Sequence, residues 1–447
     1  MQQRIIFLAL AVLLMACEAR KTTTVKIIAL DPGHFHASLV QQEMYPGIDS
    51  TLKVFAPEGV EVERYREAVL AYNERKDSPT HWRPEVYTGP DYLQQLLAQP
   101  AGNIVVIAGN NRLKSTYIRR SVHAGMHVLS DKPMAIDAAG FDSLKAAFEE
   151  AVQLHVQLYD IMTERYEITS ILQRELVQMP AVFGELEKGT AAAPAVIKES
   201  VHHFKKNVAG KVLIRPAWYM DVTQQGEGIV DVTTHLVDLI QWTCFPDQVI
   251  RYEKDILVDS ARRWPTAMTL PEFHEITNAD RFPDYLQKDV DADSVLQVYA
   301  NGAFDYQIKG VHARVAVSWK YQAPEGTGDT HYSLIRGTGA DIVIREGALY
   351  IEPKTAGTAA IQQGIATLAA TYPGIALKAN GKAWEVVIPA SYKKGHEASF
   401  ARVMEKYLSY VNAGSMPAWE VPNMLAKYYT TTQALRLAKE RQISLKY

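Results

Sequence analysis

The first third of the chain alternates short apolar runs with longer amphipathic stretches. Residues 103–108 are almost wholly apolar, which is typical of a central parallel strand buried on both faces. This pattern predicts strands at 25–30, 52–56, 86–88, 103–108 and 127–130, and helices at 37–43, 60–76, 91–98 and 113–124. Strand–helix alternation at this spacing predicts a doubly wound α/β domain with a parallel sheet.

The second half of the chain has a different pattern, because its strand-like segments are long and follow one another directly. Alternation of apolar and polar residues is clearest over 313–321. The predicted strands are 196–203, 294–298, 303–309, 313–321, 332–337, 340–345 and 348–351, and the predicted helices are 359–371, 397–410 and 422–440. The sequence therefore predicts an α+β domain with a mostly antiparallel sheet and C-terminal helices.

The N-terminal residues predict the compartment. Arg4 precedes an apolar run over residues 5–16, which has the length of a signal-peptide core and is too short to span a bilayer. The run ends Leu-Met-Ala-Cys at 14–17, which resembles a bacterial lipobox and makes Cys17 the predicted lipidated residue. A simple secretory signal with an incidental cysteine is the alternative. We predict a lipoprotein of the bacterial cell envelope that faces the periplasm, because several lipid chains on one cysteine form a stable anchor.

Composition narrows the function classes further. The chain has 447 residues, enough for two domains, and 47% of them are hydrophobic. A formal charge of −3 argues against a nucleic-acid binder. Apart from Cys17 there is only Cys244, so the sequence predicts neither an intrachain disulfide nor a cysteine zinc cluster.

The turn after the first predicted strand is the expected phosphate-binding site of a dinucleotide. Glycines in such a turn let the backbone approach the pyrophosphate. Here the turn reads Asp-Pro-Gly-His-Phe-His over 31–36, with one glycine, so an ordinary strand–helix turn is an equally good interpretation of this segment alone. The cofactor contacts predicted in it are Gly33, His34, Phe35 and His36.

Polar residues also follow two later strands. Asn110 and Asn111 come directly after the central strand, and Lys132 follows the strand at 127–130 within Asp-Lys-Pro. Open α/β sheets bind ligands at the carboxyl ends of their strands. We therefore predict that these three side chains reach the cofactor cleft, with an ordinary Lys-Pro turn as the alternative for Lys132.

A later segment, residues 225–242, carries polar residues within a predicted apolar helix. Asp231, His235 and Asp238 fall at i, i+4 and i+7, so they are expected on one helix face. Buried polar residues are costly unless they line a site, which favours a functional role over a capped surface helix. Two carboxylates and a histidine also suit a metal ion, but no companion ligands are evident, and no metal site is predicted.

Together these motifs resemble the glucose–fructose oxidoreductase/inositol dehydrogenase (Gfo/Idh/MocA) family. The resemblance rests on the strand–turn–helix order, Asp131-Lys132-Pro133, and Gly-x-Gly-x-x-Asp-x-x-x-His ending at His235, and it covers nearly the whole mature chain. Asp131 stands where the family has glutamate. The resemblance implies that Lys132, Asp231 and His235 are catalytic. It also implies a Rossmann-like dinucleotide-binding domain over 22–150 and an α+β substrate domain with an open sheet over 151–447, which follow the signal peptide and tether that the N-terminal pattern predicts over 1–21.

These residue types suit the oxidation of a secondary alcohol by NAD or NADP. His235 can take the hydroxyl proton, because an ordinary histidine titrates near neutral pH. Lys132 can stabilise developing alkoxide charge, and Asp231 can orient His235 or bind a neighbouring hydroxyl. Which of Lys132 and His235 is the primary base stays open.

Other residues are assigned to the ribose and to the sugar. Glu58 lies at the end of the second strand, where the family usually has aspartate; binding of the ribose hydroxyls by Glu58 would favour NAD. For each aromatic candidate alone, core packing is the alternative to sugar stacking. The predicted sugar-binding residues are His202, His203, Trp218, Tyr219 and Asp238, with Trp319 as a further candidate.

The compartment constrains the function. Little free dinucleotide is expected in a cell envelope, so we predict a tightly bound cofactor that is reduced and reoxidised in one site. The first hypothesis is an NAD(P)-dependent oxidoreductase acting on a sugar or glycoside, most sharply at carbon 3 of a glucoside. The alternatives are a glycoside hydrolase that uses transient oxidation and a silent sugar-binding lipoprotein, which the glycine-poor turn supports. The expected partners are a small sugar and the membrane, with no nucleic acid and with homo-oligomerisation left open.

Overall fold

The computed structural model describes residues 25–208, 211–325, 327–395 and 397–444. The predicted signal peptide, its Cys17 and the tether lie outside the described residues. Within the described ranges, no helix combines the length and the apolar character needed to cross a membrane.

A six-stranded parallel sheet forms the N-terminal domain. Its strands are β1 (Val25–Leu30), β2 (Ile48–Ala56), β3 (Arg83–Thr88), β4 (Ile104–Ile107), β5 (His127–Asp131) and β6 (Leu158–Ile161), in the order β3-β2-β1-β4-β5-β6. Its helices are α1 (His36–Leu39), α2 (Val60–Asn73), α3 (Tyr92–Leu97), α4 (Lys114–His123) and α5 (Ala138–Gln153). The predicted doubly wound domain is confirmed. Its sheet includes β6, which lies past the predicted boundary at residue 150.

The strand order reverses between β1 and β4. Every residue of β4 is buried, as its Ile-Val-Val-Ile sequence predicts for a central strand. The chain leaves β1 toward β2 and leaves β4 toward β5, so the two loops diverge at the carboxyl edge of the sheet. This divergence opens the crevice in which doubly wound folds bind ligands.

A nine-stranded sheet dominates the C-terminal domain. Eleven strands are described here: β7 (Val196–Lys205), β8 (Asn207–Val208), β9 (Lys211–Val212), β10 (Ile256–Met268), β11 (Leu296–Ile308), β12 (Val311–Gln322), β13 (Thr330–Arg336), β14 (Ala340–Arg345), β15 (Ala348–Pro353), β16 (Ala376–Asn380) and β17 (Ala383–Val387). β8 pairs with β9, and the others lie in the order β10-β11-β12-β7-β13-β14-β15-β17-β16. β12 and β7 are parallel, whereas the remaining pairs of this sheet are antiparallel. The predicted mostly antiparallel sheet is confirmed.

β11 is one strand where the sequence pattern predicts two. Asn301-Gly302 has the composition of a turn, but the Asn301 side chain is an internal part of the sheet. Its amide donates to the carbonyl of Trp264 at 3.1 Å and to the hydroxyl of Thr266 at 2.8 Å, and its Oδ1 accepts from the backbone of Trp319 at 2.6 Å. The amide thus fills the gap left where the pairing of β10 and β11 shifts register.

The helices of the C-terminal domain pack partly on the N-terminal domain. Phe400, Tyr407 and Tyr428 come from the last two helices and are buried in the same apolar core as β4. The two domains therefore share a core as well as a cleft. The helices are α6 (Ile168–Val177), α7 (Pro180–Phe183), α8 (Thr233–Cys244), α9 (Tyr252–Asp255), α10 (Leu270–Thr277), α11 (Thr358–Thr371), α12 (Ala398–Ala413) and α13 (Glu420–Ser444).

Candidate active site

A cavity of about 310 Å³ lies at the carboxyl ends of β1, β2 and β4, in the crevice that the strand order predicts. Gly33, Glu58, Asn110 and Trp218 line it. A Cβ on Gly109 would lie 2.0 Å from the carbonyl oxygen of Asp31, so the two loops can pass each other here only with glycine. We call this space the cofactor cavity, because its position and exposed turn suit a dinucleotide. Trp218, predicted as a sugar contact, borders this cavity instead.

The side chains after Gly33 turn toward a second cavity. His34 Nδ1 accepts a hydrogen bond from the backbone of His36 at 3.3 Å, and His36 Nδ1 lies 3.0 Å from Asp131 Oδ2. Burial lowers the pKa of His34 well below its ordinary value, so its ring is neutral. The ligand-type atoms of His34, His36 and Asp131 lie within 4.8 Å of one another, a grouping that metal sites also use and that the sequence reasoning missed. The hydrogen bonds described above already engage both Nδ1 atoms.

The second cavity, which we call the substrate cavity, has a volume of about 470 Å³ and lies between the two domains. Lys132 and His235 both line it, although they come from different domains. Lys132 Nζ donates to Asp231 Oδ1 at 2.5 Å, and Gln225 Nε2 donates to Asp231 Oδ2 at 3.1 Å. The structure thus brings Lys132 and His235 to one cavity and places Asp231 against Lys132.

The charge state of Lys132 follows from its neighbours. Burial lowers its pKa, but the carboxylates of Asp231 and Asp131 outweigh burial, so the pKa of Lys132 lies above its ordinary value. Lys132 is therefore a cation at neutral pH and a hydrogen-bond donor toward the cavity. A protonated lysine cannot itself act as the base.

The local structure around Asp231 differs from the prediction of one continuous helix. α8 begins at Thr233, so Asp231 lies in the turn that precedes it, and only His235 and Asp238 are on the helix. A Cβ on Gly228 would lie 1.7 Å from the carbonyl oxygen of Ala300 in β11. Gly228 therefore lets this turn lie directly on the sheet, which fixes where Asp231 points.

Asp238 was predicted to bind sugar, but it does not line the substrate cavity. Its two oxygens accept from Arg165 Nη2 and Nε, each at 2.7 Å, and its Oδ1 also accepts from Lys427 at 2.7 Å. Lys427 in turn lies 2.7 Å from Asp160 of β6. Burial raises the pKa of Asp238, but the two cations outweigh burial and hold that pKa below its ordinary value. The assignment of Asp238 to the sugar is wrong, because both of its carboxylate oxygens are bonded to cations that do not line the cavity.

The remaining predicted residues divide between the cavity and its surroundings. His202 lines the substrate cavity, where its Nδ1 lies 2.9 Å from Asp329 and its ring stacks on Trp319 at 5.1 Å. His203 Nδ1 lies 3.1 Å from the same carboxylate, but this side chain faces an adjoining surface pocket. Tyr219, Phe35, His34 and His36 also line the substrate cavity. Asn111 is buried and donates to the carbonyl of Gln225 at 2.6 Å, so it joins the domains and does not border the cofactor cavity.

The sequence reasoning missed several cavity residues, among them Glu164, His331 and Arg215. Glu164 follows β6, a strand that was not predicted, and burial raises its pKa to about 7. His331 comes from β13, and burial lowers its pKa to about 3. Arg215 lies between β9 and α8. None of these three residues lies in a sequence motif, so only the folded arrangement identifies them.

Two family matches agree with this architecture. Residues 58–159 match "Oxidoreductase family, NAD-binding Rossmann fold" of the Gfo/Idh/MocA type, and residues 172–439 match "Putative oxidoreductase C terminal domain". The second match alone spans more than half of the chain. The chain belongs to the Gfo/Idh/MocA oxidoreductase family. Its N-terminal domain is an NAD-binding Rossmann domain.

Solved structures share the fold of this family member. A "putative oxidoreductase" from Parabacteroides merdae is 50% identical, with a TM-score of 0.91 over 94% of this chain and 98% of that one. Levoglucosan dehydrogenase in complex with NADH is 12% identical, with a TM-score of 0.60 over 93% and 97%. A "putative myo-inositol dehydrogenase" from Sinorhizobium meliloti is 16% identical, with a TM-score of 0.54 over 94% and 98%. The last two are alike in fold alone. Among curated proteins, no sequence matches the chain.

Proposed function

We propose that the protein is an NAD(P)-dependent oxidoreductase that acts on a secondary hydroxyl of a sugar or glycoside. The observation that carries this proposal is the meeting of Lys132 and His235 from two domains at one cavity beside the cofactor cavity. Dehydrogenation needs such an arrangement, because the hydroxyl must be held, and must lose its proton, beside the nicotinamide. Two fold neighbours, levoglucosan dehydrogenase and a "putative myo-inositol dehydrogenase", support a sugar-type substrate.

The residues divide the reaction between them. A nicotinamide held in the cofactor cavity would supply the acceptor for the hydride that leaves the substrate carbon. Lys132 donates a hydrogen bond to the substrate oxygen and stabilises the charge that develops there. His235 accepts the hydroxyl proton. Asp231 is a positioning residue, because its ion pair fixes the Lys132 ammonium at the cavity wall.

Glu58 supports NAD over NADP. It lines the cofactor cavity just after β2, where the ribose of a dinucleotide is bound in this fold. A carboxylate there accepts hydrogen bonds from the ribose hydroxyls and repels a 2′-phosphate. We further propose that the cofactor stays bound between turnovers, and that carbon 3 of a glucoside is the position oxidised.

The test is single-turnover reduction of the bound cofactor, followed by absorbance after mixing with glucosides and free sugars. We expect at least one glucoside to reduce it, and denatured protein to release NAD identified by mass. A protein that binds no dinucleotide, or a cofactor that no sugar reduces, would contradict the proposal.

A second function, glycoside cleavage through transient oxidation, is favoured by Glu164. With a pKa of about 7, this side chain is partly protonated at neutral pH and lines the same cavity as Lys132. A carboxylic acid placed there could protonate a departing aglycone oxygen. Release of aglycone that requires cofactor, without net cofactor reduction, would establish this function in place of the first.

We also propose the envelope location and a lipid anchor on Cys17, on the strength of the lipobox pattern alone. The variant Cys17→Ser should be exported but released from membranes, because it lacks the thiol that is acylated. Equal membrane retention of variant and wild type in fractionated cells would contradict the anchor.

A further inference from the structure

Arg215 is a buried cation without an acidic partner in the described part of the chain. It is 5% exposed. Its Nε donates to the carbonyl of Phe204 at 2.9 Å, and its Nη2 donates to the carbonyl of His203 at 3.4 Å. Both acceptors are neutral, so they satisfy donors but leave the positive charge uncompensated. Buried charges are costly unless they are paired, which indicates that a group outside the chain completes this site.

The position of Arg215 shows where that group would lie. Its guanidinium carbon is 4.6 Å from the ring centre of Tyr219 and 5.6 Å from that of Trp319, so two rings hold its plane. Arg215 lines the substrate cavity and also a smaller space of about 130 Å³ that reaches Gly33. It therefore stands between the sugar region and the turn expected to meet the pyrophosphate.

The other cations of the substrate cavity already have carboxylate partners. Lys132 is paired with Asp231, and Lys206 is paired with Asp329. The turn at Gly33 leads into α1, which has only four residues, so this turn offers no long helix for an anion. Among the described residues that line this cavity, Arg215 is the cation left available for an anionic ligand.

We propose that Arg215 binds an oxyanion at the junction of the two cavities. A guanidinium presents paired donors in one plane, which match two oxygens of one phosphate or carboxylate. Two sources carry such a group: the diphosphate of the dinucleotide, and an acid group on the sugar, as in a uronide. The choice of these two sources depends on the proposed function. The existence of an anion site is inferred from Arg215 alone.

The experiment compares Arg215→Gln with Arg174→Gln. Arg174 is a matched control, because it also stacks on an aromatic ring (Trp242, 4.6 Å) and donates to a carbonyl (3.1 Å), but borders neither cavity. Calorimetry measures the binding of NAD⁺, inorganic pyrophosphate, methyl glucuronide and methyl glucoside, with cofactor present for the sugars. We expect Arg215→Gln to weaken anion binding by about 10–100-fold, since hydrogen bonds to charged groups are of that strength.

The arms distinguish the two sources. Weaker NAD⁺ and pyrophosphate binding with unchanged sugars assigns the diphosphate. A lost preference for the glucuronide over the glucoside, with NAD⁺ unchanged, assigns an acid group on the sugar. If Arg215→Gln does not fold, Arg215→Lys takes its place, because lysine keeps the charge but removes the paired donors. The same two patterns of weakened binding are then expected, with smaller losses of affinity.

The proposal would be overturned if a folded Arg215 variant bound all four probes with wild-type affinity. It would also be overturned if wild-type protein bound neither pyrophosphate nor the glucuronide more tightly than the glucoside. Failure of every sugar to reduce the cofactor would count against the proposed oxidoreductase alone, because these measurements do not use turnover.

Discussion

Asp231 and Asp238 lie about two turns of sequence spacing apart on one segment, Asp231 just before α8 and Asp238 within it, yet they belong to different clusters. Asp231 holds Lys132 at the wall of a cavity that a substrate can enter. Asp238 holds Arg165 and Lys427 in the interior, where the Lys427 side chain has no exposed surface. Both carboxylates form close ion pairs with cations from elsewhere in the chain, so residue type does not separate them.

The difference lies in what each cluster leaves unused. Lys132 has three N–H donors, and the described structure engages one of them with Asp231. Around Asp238, both carboxylate oxygens accept from Arg165, and Lys427 adds a further bond that connects to β6. An open cluster is available for chemistry, whereas a saturated cluster can only hold the fold together.

The largest expected effect concerns the open cluster. His235→Ala should lower turnover by roughly 10²–10⁴-fold, because it removes the proposed proton acceptor. Cofactor binding should persist, since His235 lies in the other domain. Single-turnover absorbance measures the first effect, and calorimetry with NAD⁺ measures the second.

His331→Ala is the control for this variant. His331 lines the same cavity, but its pKa of about 3 keeps it neutral and makes it a poor proton acceptor. It should lower turnover by less than about tenfold, the small effect expected of a residue outside the proton transfer. If His235→Ala and wild type turned over at equal rates, His235 would not be the proton acceptor, and the open cluster would not be distinguished from the saturated one by its chemistry.

The next effect concerns the saturated cluster. Asp238→Asn should lower the free energy of unfolding by about 3–5 kcal/mol, because it leaves two buried cations without their shared carboxylate. Turnover per folded molecule should stay near that of wild type. Asp231→Asn should show the reverse, with impaired turnover and a smaller loss of stability. Denaturant unfolding measures the stability of each variant, and active-site titration gives its turnover per folded molecule. Similar losses of stability in the two variants would refute the comparison.

The smallest effect is a pH dependence at the cavity. The pKa of Glu164 rises from about 4.5 in the unfolded chain to about 7 in the fold, so the folded state holds the proton more tightly. Wild-type stability should therefore fall as pH rises from 4.5 to 7 and should level off above 7, by on the order of 1–3 kcal/mol. Glu164→Gln should lack this fall.

The matched control for that experiment is Glu397→Gln, which alters an exposed glutamate at the same cavity that is not among the groups raising the pKa of Glu164. Chemical unfolding at several pH values gives the comparison. An identical pH slope in wild type and Glu164→Gln would show that this carboxyl is not the titrating group.

Most of the fold could be predicted from the sequence, because the N-terminal strands are short, apolar and regularly spaced. β10 could not, since Pro265 and neighbouring arginines interrupt its alternation at the edge of the sheet. β11 was divided because Asn301-Gly302 has the composition of a turn, whereas its amide is bonded within the sheet. Local patterns fail where a tertiary hydrogen bond decides the conformation.

The candidate site was predictable where a motif carried it. Lys132, Asp231 and His235 each lie in a recognisable pattern, and the fold brings them together. Helical spacing could not separate Asp231 from Asp238, because their roles depend on partners such as Lys427, which lies far away in sequence. Arg215 has no motif at all, and its significance comes only from the partners it lacks.

The shared core has a consequence for the order of synthesis. Phe400, Tyr407 and Tyr428 belong to the same apolar core as β4. The N-terminal domain is translated first, but its core is complete only after these C-terminal residues have been synthesised. Domains of most proteins fold as they emerge. In this chain the N-terminal domain lacks part of its apolar core until α12 and α13 have been synthesised.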